Sequence, residues 1–471
     1  MIFKQVNIDP DIISFFKDNL DYLSSINQIN SLIYKICGIN NFFLYADETN
    51  ELKTKIEQEF SIVEEPERRE YGDFQTNKNL SDKIVHYIKS KNFDPEFILE
   101  PTCGKGNFII SCLKYNPSIK KIIGIEIYQP YIWETKFNIL KYFINNSRKI
   151  IPEIEIIHAN VFDFPFDKVS NETNHLKTLI IGNPPWITNS ELGAISSNNL
   201  PQKANFKKHN GFDAITGKGN FDIGEYISLI ILNNFTNHDG YFSFLIKNSV
   251  LKNIIHDQAQ NNYKIADIEK LTIDSKKEFN VSVDACLFLS KLNQNPQYTC
   301  TVSNFYNLEK YTTLGWHNRI FVYSVKDYEE AKDIEGKSQF VWRQGVKHDC
   351  SKIMELQEYN NHYKNGIDQE IYIENNLVYG LLKSSDLKGN ETNSCRKQII
   401  ITQKKIGEDT NYIARSFPLT YEYLKKNKNW FDKRKSSIYK GKPSFSIFGI
   451  GDYSFAPYKI AISGLYKTSH F

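Results

Sequence analysis

Short, almost uninterrupted apolar runs alternate with longer amphipathic stretches between residues 97 and 292. Runs rich in Ile, Leu, Phe and Val are typical of strands buried on both faces of a parallel sheet, and the stretches between them have helical spacing. This alternation predicts an α/β domain with a doubly wound sheet. The predicted strands lie in 97–100, 122–127, 154–163, 179–182, 241–246 and 281–289.

The pattern changes on both sides of this domain, so we predict three segments. Residues 1–68 carry Ile, Leu and Phe at roughly helical spacing and predict a helical N-terminal extension. Residues 69–295 hold the alternating elements, and residues 296–471 give way to short strands and loops rich in Tyr, Asn and Lys. We expect this last segment to be a mixed α+β domain. The polar stretch 189–219 is predicted as a loop, of a length that is usually functional or mobile.

The fourth apolar run, 179–182, ends abruptly in Asn183, Pro184, Pro185 and Trp186. The prolines cannot donate ladder hydrogen bonds and restrict the backbone around Asn183, so its side-chain oxygen and nearby carbonyls can form a rigid set of acceptors. A planar amino group fits such a set, and Trp186 offers a flat face on which its ring can stack. The alternative is a plain proline turn with a tryptophan in the core.

The first apolar run ends in a glycine-rich turn that opens a helix. Glu100 is followed by Pro101, Thr102 and Gly104, and glycine permits a ligand to approach the backbone closely. The carboxylate argues against a phosphate-rich ligand and favours one with an amino group or positive charge. The dinucleotide fingerprint is absent, and an ordinary strand-to-helix turn remains the alternative.

The second and third runs also end in polar residues. Glu126 follows the glycines by about 20 positions, the spacing of a carboxylate that accepts hydrogen bonds from a ribose diol. Its alternative is an acidic residue at a helix N-terminus ahead of Pro130. In the third run, Asn160 could meet the edge of an adenine ring and Val161 could pack on the face of that ring.

Two further features flank these strands. A polar segment that includes Gln75 and Thr76 precedes an amphipathic helix, and a loop at such a position can lie over a ligand. An ordinary capped helix is an equal alternative. Phe279 lies just before an apolar strand, where core packing is its default role.

Charge adds a weaker indication in the C-terminal segment. The 471 residues carry a formal net charge of only +3, which does not by itself indicate a polyanionic partner. However, residues 433–439 interleave Lys and Arg with Tyr and Ser, and such a run suits the phosphates of a duplex. A solvated charged surface is the alternative. The stretch 340–349, with Phe, Val, Trp and Arg, also stands out.

The cysteines indicate neither disulfides nor a metal site. There are seven, an odd number, scattered without a CxxC pair, so we expect reduced thiols and no zinc. The N-terminus lacks a signal-peptide core, and no apolar run approaches a membrane-spanning length. We therefore expect a cytoplasmic protein without a membrane partner.

Together, the glycine turn preceded by Glu-Pro, the acid that ends the next strand and the Asn-Pro-Pro-Trp sequence resemble the gamma class of N6-adenine DNA methyltransferases. In that class a cofactor-capping motif comes first, the cofactor and catalytic motifs follow, and a target-recognition domain lies C-terminal. The resemblance covers about residues 70–295, with a softer match at 345–349. It implies a Rossmann-like methyltransferase domain at 69–295 and a DNA target-recognition domain at 296–471.

The resemblance also implies roles for individual residues. S-adenosylmethionine would contact Gln75, Thr76, Glu100, Pro101, Thr102, Gly104, Glu126, Asn160 and Val161. The catalytic residues would be Asn183, Pro184, Pro185 and Trp186, with Trp186 and Phe279 stacking on the substrate base; DNA would contact Lys347, His348, Arg434, Lys435 and Lys440. The family usually has an aspartate at the position of Asn160. We expect this difference to affect the affinity for the cofactor.

The implied activity is methyl transfer from S-adenosylmethionine to the N6 amine of a flipped adenine in double-stranded DNA. A separate restriction endonuclease is then the expected partner of a modification enzyme. Two alternatives use similar motifs: a glutamine methyltransferase acting on release factors and an rRNA guanine-N2 methyltransferase. The Glu-Pro pair, the upstream capping motif and the basic C-terminal region disfavour both.

Overall fold

The computed structural model describes residues 3, 5–57, 73–188, 222–387 and 394–462. Outside the described residues lie the loop predicted at 189–219 and the boundary predicted between 68 and 69. The chain divides into two compact units, Met1–Glu335 and Gly336–Phe471. No described helix is both long enough and apolar enough to cross a membrane.

A ten-stranded sheet forms the centre of the first unit, in the order β10-β9-β8-β6-β7-β5-β4-β1-β2-β3. Its section β3-β2-β1-β4-β5 is parallel and has the order of a doubly wound sheet, which confirms the predicted fold class. The strands are β1 (Phe97–Glu100), β2 (Lys121–Glu126), β3 (Glu153–His158), β4 (Thr178–Gly182), β5 (Gly240–Lys247), β6 (Ile265–Thr272), β7 (Ala285–Leu292), β8 (Thr299–Asn304), β9 (Lys310–His317) and β10 (Ile320–Val322).

Helices cover both faces of this sheet, and for that reason its central strands β1 and β4 are buried along their whole length and mostly apolar. Successive side chains of a strand point to opposite faces. Ile98 accordingly belongs to one hydrophobic core, whereas Phe97 and Leu99 belong to the other. The described helices of the first unit are α1 (Pro10–Asp18), α2 (Ile26–Cys37), α3 (Ala46–Glu57), α4 (Lys78–Lys89), α5 (Asn107–Tyr115), α6 (Gln129–Asn145), α7 (Phe166–Thr173), α8 (Ile223–Phe235), α9 (Asn248–Asn261), α10 (Ser275–Phe279) and α11 (Val325–Ala331).

The N-terminal helices pack on the sheet rather than standing apart from it. An aromatic cluster joins them to α6, with the rings of Phe3 and Trp133 4.8 Å apart and those of Phe16 and Phe137 6.2 Å apart. The buried Lys136 on α6 donates a hydrogen bond of 2.7 Å to the carbonyl of Phe42. The extension is thus part of the core on one face of the sheet.

The first unit also extends beyond residue 295, the end that the sequence predicts for the central domain. Strand β8 pairs in parallel with β6, and β9 and β10 continue the same sheet in antiparallel pairing. The division between units falls at residues 335 and 336 instead. The alternation of apolar strands and amphipathic helices stops before these edge strands, so their sequence does not show which sheet they join.

The second unit contains a five-stranded antiparallel sheet in the order β13-β12-β11-β15-β14. Helices pack against it around a core that includes Ile353, Ile400 and Leu424, which is the mixed α+β architecture that the sequence predicts. The strands are β11 (Glu355–Tyr359), β12 (His362–Asn365), β13 (Glu370–Ile371), β14 (Val378–Leu381) and β15 (Lys397–Ile400), and the helices are α12 (Ser351–Met354), α13 (Tyr412–Ser416), α14 (Pro418–Lys426) and α15 (Lys428–Asp432).

Candidate active site

A cavity of about 250 Å³ opens at the carboxyl ends of β1 to β4. The strand order reverses between β1 and β4, and in doubly wound sheets ligands bind in the crevice at this point. All nine residues predicted to contact a cofactor lie in its wall: Gln75, Thr76, Glu100, Pro101, Thr102, Gly104, Glu126, Asn160 and Val161. Asn183 and Pro185 lie in the same wall.

The glycine turn after β1 lies directly against the segment 73–77, which we call the capping segment. Gly104 has a φ of 50°, and a Cβ atom there would lie 2.4 Å from the side-chain oxygen of Gln75. Only glycine fits such a position without strain. The same oxygen of Gln75 accepts a hydrogen bond of 3.1 Å from the amide of Lys105, and Asn107 donates to the carbonyl of Thr76 at 2.8 Å. The capping segment therefore forms one wall of the cavity.

Two carboxylates face this cavity. Glu100 is only 2% exposed, and burial raises its pKa well above the ordinary value, with a further increase from the charge of Glu126. Burial raises the pKa of Glu126 to about 7. Glu126 accepts hydrogen bonds of 2.8 to 2.9 Å from the amides of Gly104, Ile127 and Tyr128. These occupy three of about four acceptor positions of a carboxylate, so one remains for a ligand.

The loop after β3 places Asn160 and Val161 side by side in the wall. The side-chain oxygen of Asn160 accepts a hydrogen bond of 3.0 Å from the amide of Phe162. An amide oxygen has two lone pairs, so one acceptor position remains beside this turn. Val161 is buried and adds apolar surface.

Asn183 has a defined orientation at the end of β4. Its side-chain nitrogen donates a hydrogen bond of 2.6 Å to the carbonyl of Phe74 in the capping segment. Its side-chain oxygen is buried and has no hydrogen-bond partner among the residues that the structure describes. Since the nitrogen is held, the oxygen is the free end of the amide. The side chain is thus arranged to accept a hydrogen bond from a bound group.

Trp186 lies between two other aromatic rings. The ring centroids of Trp186 and Phe279 are 5.0 Å apart at an interplanar angle of 69°, and those of Trp186 and Phe74 are 5.4 Å apart. The indole nitrogen of Trp186 donates to the carbonyl of Leu245 at 3.2 Å. The structure therefore brings the two predicted stacking residues together, but in direct edge-to-face contact and with both rings buried.

Four residues of the cavity wall carry a buried polar atom that has no hydrogen-bond partner within the described parts of the chain. These atoms are Thr76 Oγ1, Glu100 Oε2, Thr102 Oγ1 and Asn183 Oδ1. Buried polar groups in native proteins are nearly always hydrogen-bonded, so such a concentration indicates a ligand-binding site. Among the residues that the structure describes, no group of three or more His, Cys, Asp or Glu could hold a metal ion.

The cavity wall also contains residues that the sequence analysis did not identify as site residues. Tyr128 and Phe162 each come two positions after a residue predicted from a strand end, and this spacing was the available signal. Asp73 and Phe74 lie in the polar segment before α4. The hydrogen bond from Asn183 to the carbonyl of Phe74 joins residues 109 positions apart, so no local pattern could reveal it.

The five residues predicted to contact DNA have different environments in the second unit. Lys435 and Lys440 are exposed, and Lys347 is partly exposed near Asp349. His348 is buried, with its ring nitrogen Nε2 3.5 Å from Glu355 Oε1, and burial lowers its pKa.

Arg434 is committed to internal contacts. Its guanidinium donates to the carbonyls of Ser446 at 2.7 Å, Phe431 at 3.1 Å and His348 at 3.3 Å, and lies 3.7 Å from the ring centroid of Tyr439. The positions of Arg434 and His348 therefore favour a structural role over a contact with DNA. A basic sequence run does not show which of its cations turn inward.

Replacement of Arg434 by alanine is expected to destabilise the second unit by about 1–3 kcal/mol, since it leaves buried carbonyls without a charged donor. Calorimetric unfolding of the full chain measures this. Lys435→Ala is the control, with an expected change within about 0.5 kcal/mol because the side chain is exposed. Unchanged unfolding of Arg434→Ala together with weaker DNA binding would instead identify Arg434 as a DNA contact.

Comparisons with known proteins identify sequence relatives over most of the chain. The N-6 DNA Methylase family profile matches residues 57–308. The chain is 40% identical over 412 residues to the type II methyltransferase M.NspV from Nostoc sp., an alignment that covers 86% of this chain and 84% of the relative. It is 34% identical over 122 residues, 26% of each chain, to the type II methyltransferase M.CvrRI from Paramecium bursaria Chlorella virus XZ-6E.

Among solved structures, the chain is similar to the methyltransferase subunit of a type I restriction-modification system from Streptococcus thermophilus. Their sequence identity is 11% and the TM-score is 0.37, with 71% of this chain and 77% of the other covered.

The sequence relatives decide between the activities that the Asn-Pro-Pro-Trp sequence leaves open. The family match and the long type II alignment are to DNA methyltransferases, and neither is to an enzyme that modifies release factors or rRNA. The chain therefore belongs to the N6 DNA methylase family and is a DNA adenine methyltransferase of a type II restriction-modification system.

Proposed function

We propose that the side-chain oxygen of Asn183 and the carbonyl of Pro184 accept hydrogen bonds from the two N–H groups of the target adenine's amino group. The free side-chain oxygen of Asn183 carries this proposal, because the carbonyl of Phe74 holds the other end of the amide. The carbonyl of Pro184 is the second acceptor, and the adjacent Pro185 limits movement of the backbone that carries it. Asn183 thus presents an acceptor without having to reorient.

The cavity whose wall includes Asn183 is the proposed binding site of S-adenosylmethionine. Its residues fit this cofactor: the buried Glu100 has an unpaired oxygen for a cationic group, and Glu126 retains an acceptor position for a ribose hydroxyl. Asn160 retains one acceptor position for the adenine amino group of the cofactor, beside the apolar Val161. When bound, the cofactor supplies an activated methyl group on a sulfonium.

The protein's part in the transfer is to free and aim the lone pair of the adenine N6 atom. In adenine this lone pair is delocalised into the ring, so the nitrogen is a poor nucleophile. Two acceptors in a rigid arrangement draw the N–H bonds out of the plane of the ring, and the lone pair becomes available for attack on the methyl carbon. As the new N–C bond forms, the bond from that carbon to sulfur would break with its electron pair left on sulfur, and the methylated nitrogen would then release one of its two protons to water. Preorganised acceptors of this kind act without reorganisation at the moment of reaction.

For a base to enter between Trp186 and Phe279, one of these two rings has to move. The centroids of two stacked aromatic rings lie about 4.5 Å or more apart, and a base between two rings needs about twice that distance. The centroids of Trp186 and Phe279 are only 5.0 Å apart, so no base fits between them. A hydrogen bond from its indole nitrogen to the carbonyl of Leu245 holds Trp186, whereas Phe279 ends the five-residue helix α10. We infer that α10 shifts outward and that Phe279 then closes on the free face of the extruded base.

Duplex DNA is the proposed substrate form, with Lys347, Lys435 and Lys440 of the second unit contacting its phosphates. Exposed lysines supply the sequence-independent part of such binding. The proposed partner in the cell is a separate endonuclease that cleaves the same unmodified sequence.

Single-molecule sequencing of DNA from a host that expresses this chain tests the proposal. The expected result is N6-methyladenine within one short sequence motif, absent from the same host without the gene. No modified base, or a modified cytosine, would contradict it. The motif found in this way supplies the duplex for the measurements below.

A further inference from the structure

Residues 340–343 of the second unit form an exposed apolar and basic segment with no role in the site described above. Phe340, Val341 and Trp342 are 76%, 69% and 66% exposed. Three consecutive large apolar residues facing water are costly and normally mark a binding function. Arg343 follows, and between residues 336 and 348 the chain carries three basic residues and no acidic one.

The C-terminal end of this segment and the residues that follow it are held by contacts within the second unit. The Arg343 guanidinium lies 5.8 Å from the ring centroid of Tyr453, whose hydroxyl donates to the carbonyl of Gln344 at 3.2 Å. Lys347 and Phe448 exchange two backbone hydrogen bonds, of 2.7 and 2.8 Å. The three apolar side chains are therefore presented from an irregular segment whose C-terminal side is anchored at Gln344 and Lys347.

The chemistry of the segment identifies its partner. Basic residues without acids fit a polyanion, and DNA is the substrate of this family. A closed duplex offers little apolar surface, because its base faces are stacked on each other. Extrusion of the target adenine breaks that stack and exposes the faces of the neighbouring bases, which aromatic side chains can cover.

We propose that Phe340 and Trp342 stack on the bases exposed by extrusion of the target adenine, while Arg343 binds an adjacent phosphate. This inference rests on the proposed base-flipping reaction and adds to it a second DNA contact, which stabilises the opened duplex. The contact offsets the cost of unstacking and so raises the fraction of enzyme-bound DNA in which the adenine is extruded.

The test compares two duplexes that carry the methylated motif. In one the target adenine pairs with thymine; in the other it faces an abasic site and is already unpaired. With the paired duplex, Phe340→Ala/Trp342→Ala is expected to lower single-turnover methyl transfer roughly tenfold or more, since the variant removes two rings that stack on bases. With the abasic duplex the loss is expected to be much smaller. The fluorescence of 2-aminopurine at the target position is expected to fall in parallel.

Two further variants keep the result interpretable. Tyr372→Ala removes an aromatic side chain of the same unit that is also 66% exposed, and wild-type rates are expected on both duplexes. Trp342→Phe retains a stacking ring and is expected to retain most of the activity on the paired duplex. The thermal unfolding temperature of the double variant is expected to match the wild type, because both side chains are exposed.

An equal loss on both duplexes, or no loss on either, overturns the proposal. A change in oligomeric state with unchanged methyl transfer also overturns it, because the segment would then be a protein contact. Failure of the proposed function is distinct from these outcomes, since in that case the wild type itself would not methylate the paired duplex.

Discussion

Replacing Asn183 by alanine is expected to lower methyl transfer to duplex DNA by at least about 100- to 1,000-fold, the usual cost of removing one preorganised hydrogen-bonding group from a transition state. The variant loses a buried side-chain oxygen that has no partner among the described residues, on an amide whose nitrogen donates to the carbonyl of Phe74. S-adenosylmethionine binding is expected to persist, because the other cavity residues remain. Single-turnover transfer of a radiolabelled methyl group and calorimetric titration with the cofactor separate the two effects.

The control for this variant is Asn234→Ala. Asn234 lies on α8 outside the cavity, and its side-chain nitrogen also donates one hydrogen bond to a backbone carbonyl, that of Ile230 at 2.8 Å. Wild-type methyl transfer is expected. Transfer by Asn183→Ala within about tenfold of the wild type would show that Asn183 is not the acceptor that activates the amine.

The second large effect is expected at Glu126, where the affinity for S-adenosylmethionine should depend on pH. Burial raises the pKa of this carboxyl to about 7, so it is mostly ionised at pH 8 and mostly protonated at pH 6. A ribose hydroxyl donates more strongly to a carboxylate than to a carboxylic acid. Cofactor affinity is therefore expected to fall as the pH decreases through 7. Calorimetric titration between pH 6 and pH 8.5 measures it.

Glu126→Gln is expected to bind the cofactor about tenfold or more weakly at pH 8, the cost of a lost hydrogen bond to a charged group, with a smaller dependence on pH. Asp73 also raises the pKa of Glu126, and Glu100, in the same cavity wall, has a raised pKa of its own. The same titration of Glu100→Gln therefore tests whether Glu100 causes any pH dependence of cofactor affinity that remains. Glu153→Gln, at an exposed residue of β3, is the control. If the cofactor affinity of Glu126→Gln changed with pH as steeply as that of the wild type, Glu126 would not be the group responsible.

Local patterns in the sequence, together with the family resemblance, were sufficient to predict part of the cavity wall. Glu100, Glu126 and Asn160 lie towards the end of a predicted strand and Asn183 directly follows one, and parallel strands bring their carboxyl ends to one edge of a sheet. The pairing of distant segments was not predictable in this way. The partner of Asn183 in the capping segment, and the edge strands β8 to β10, depend on contacts that have no local periodicity.

The basic run of the second unit shows the same distinction. Arg434 and Lys435 are neighbours with the same charge, yet one guanidinium binds three carbonyls inside the unit and the other side chain is exposed. Charge can be read from a sequence. The direction of a side chain depends on which surfaces the fold brings around it.

The sequence by itself therefore determined the doubly wound sheet, the type of chemistry and nearly half of the residues around the cavity, because strand periodicity and strand ends are local properties of the chain. Only the tertiary structure decided which end of the Asn183 amide is free, that Trp186 and Phe279 touch, and that Arg434 points inward. Each of these depends on packing between segments far apart in the chain, and the free energy of that packing is not encoded in any single stretch of residues.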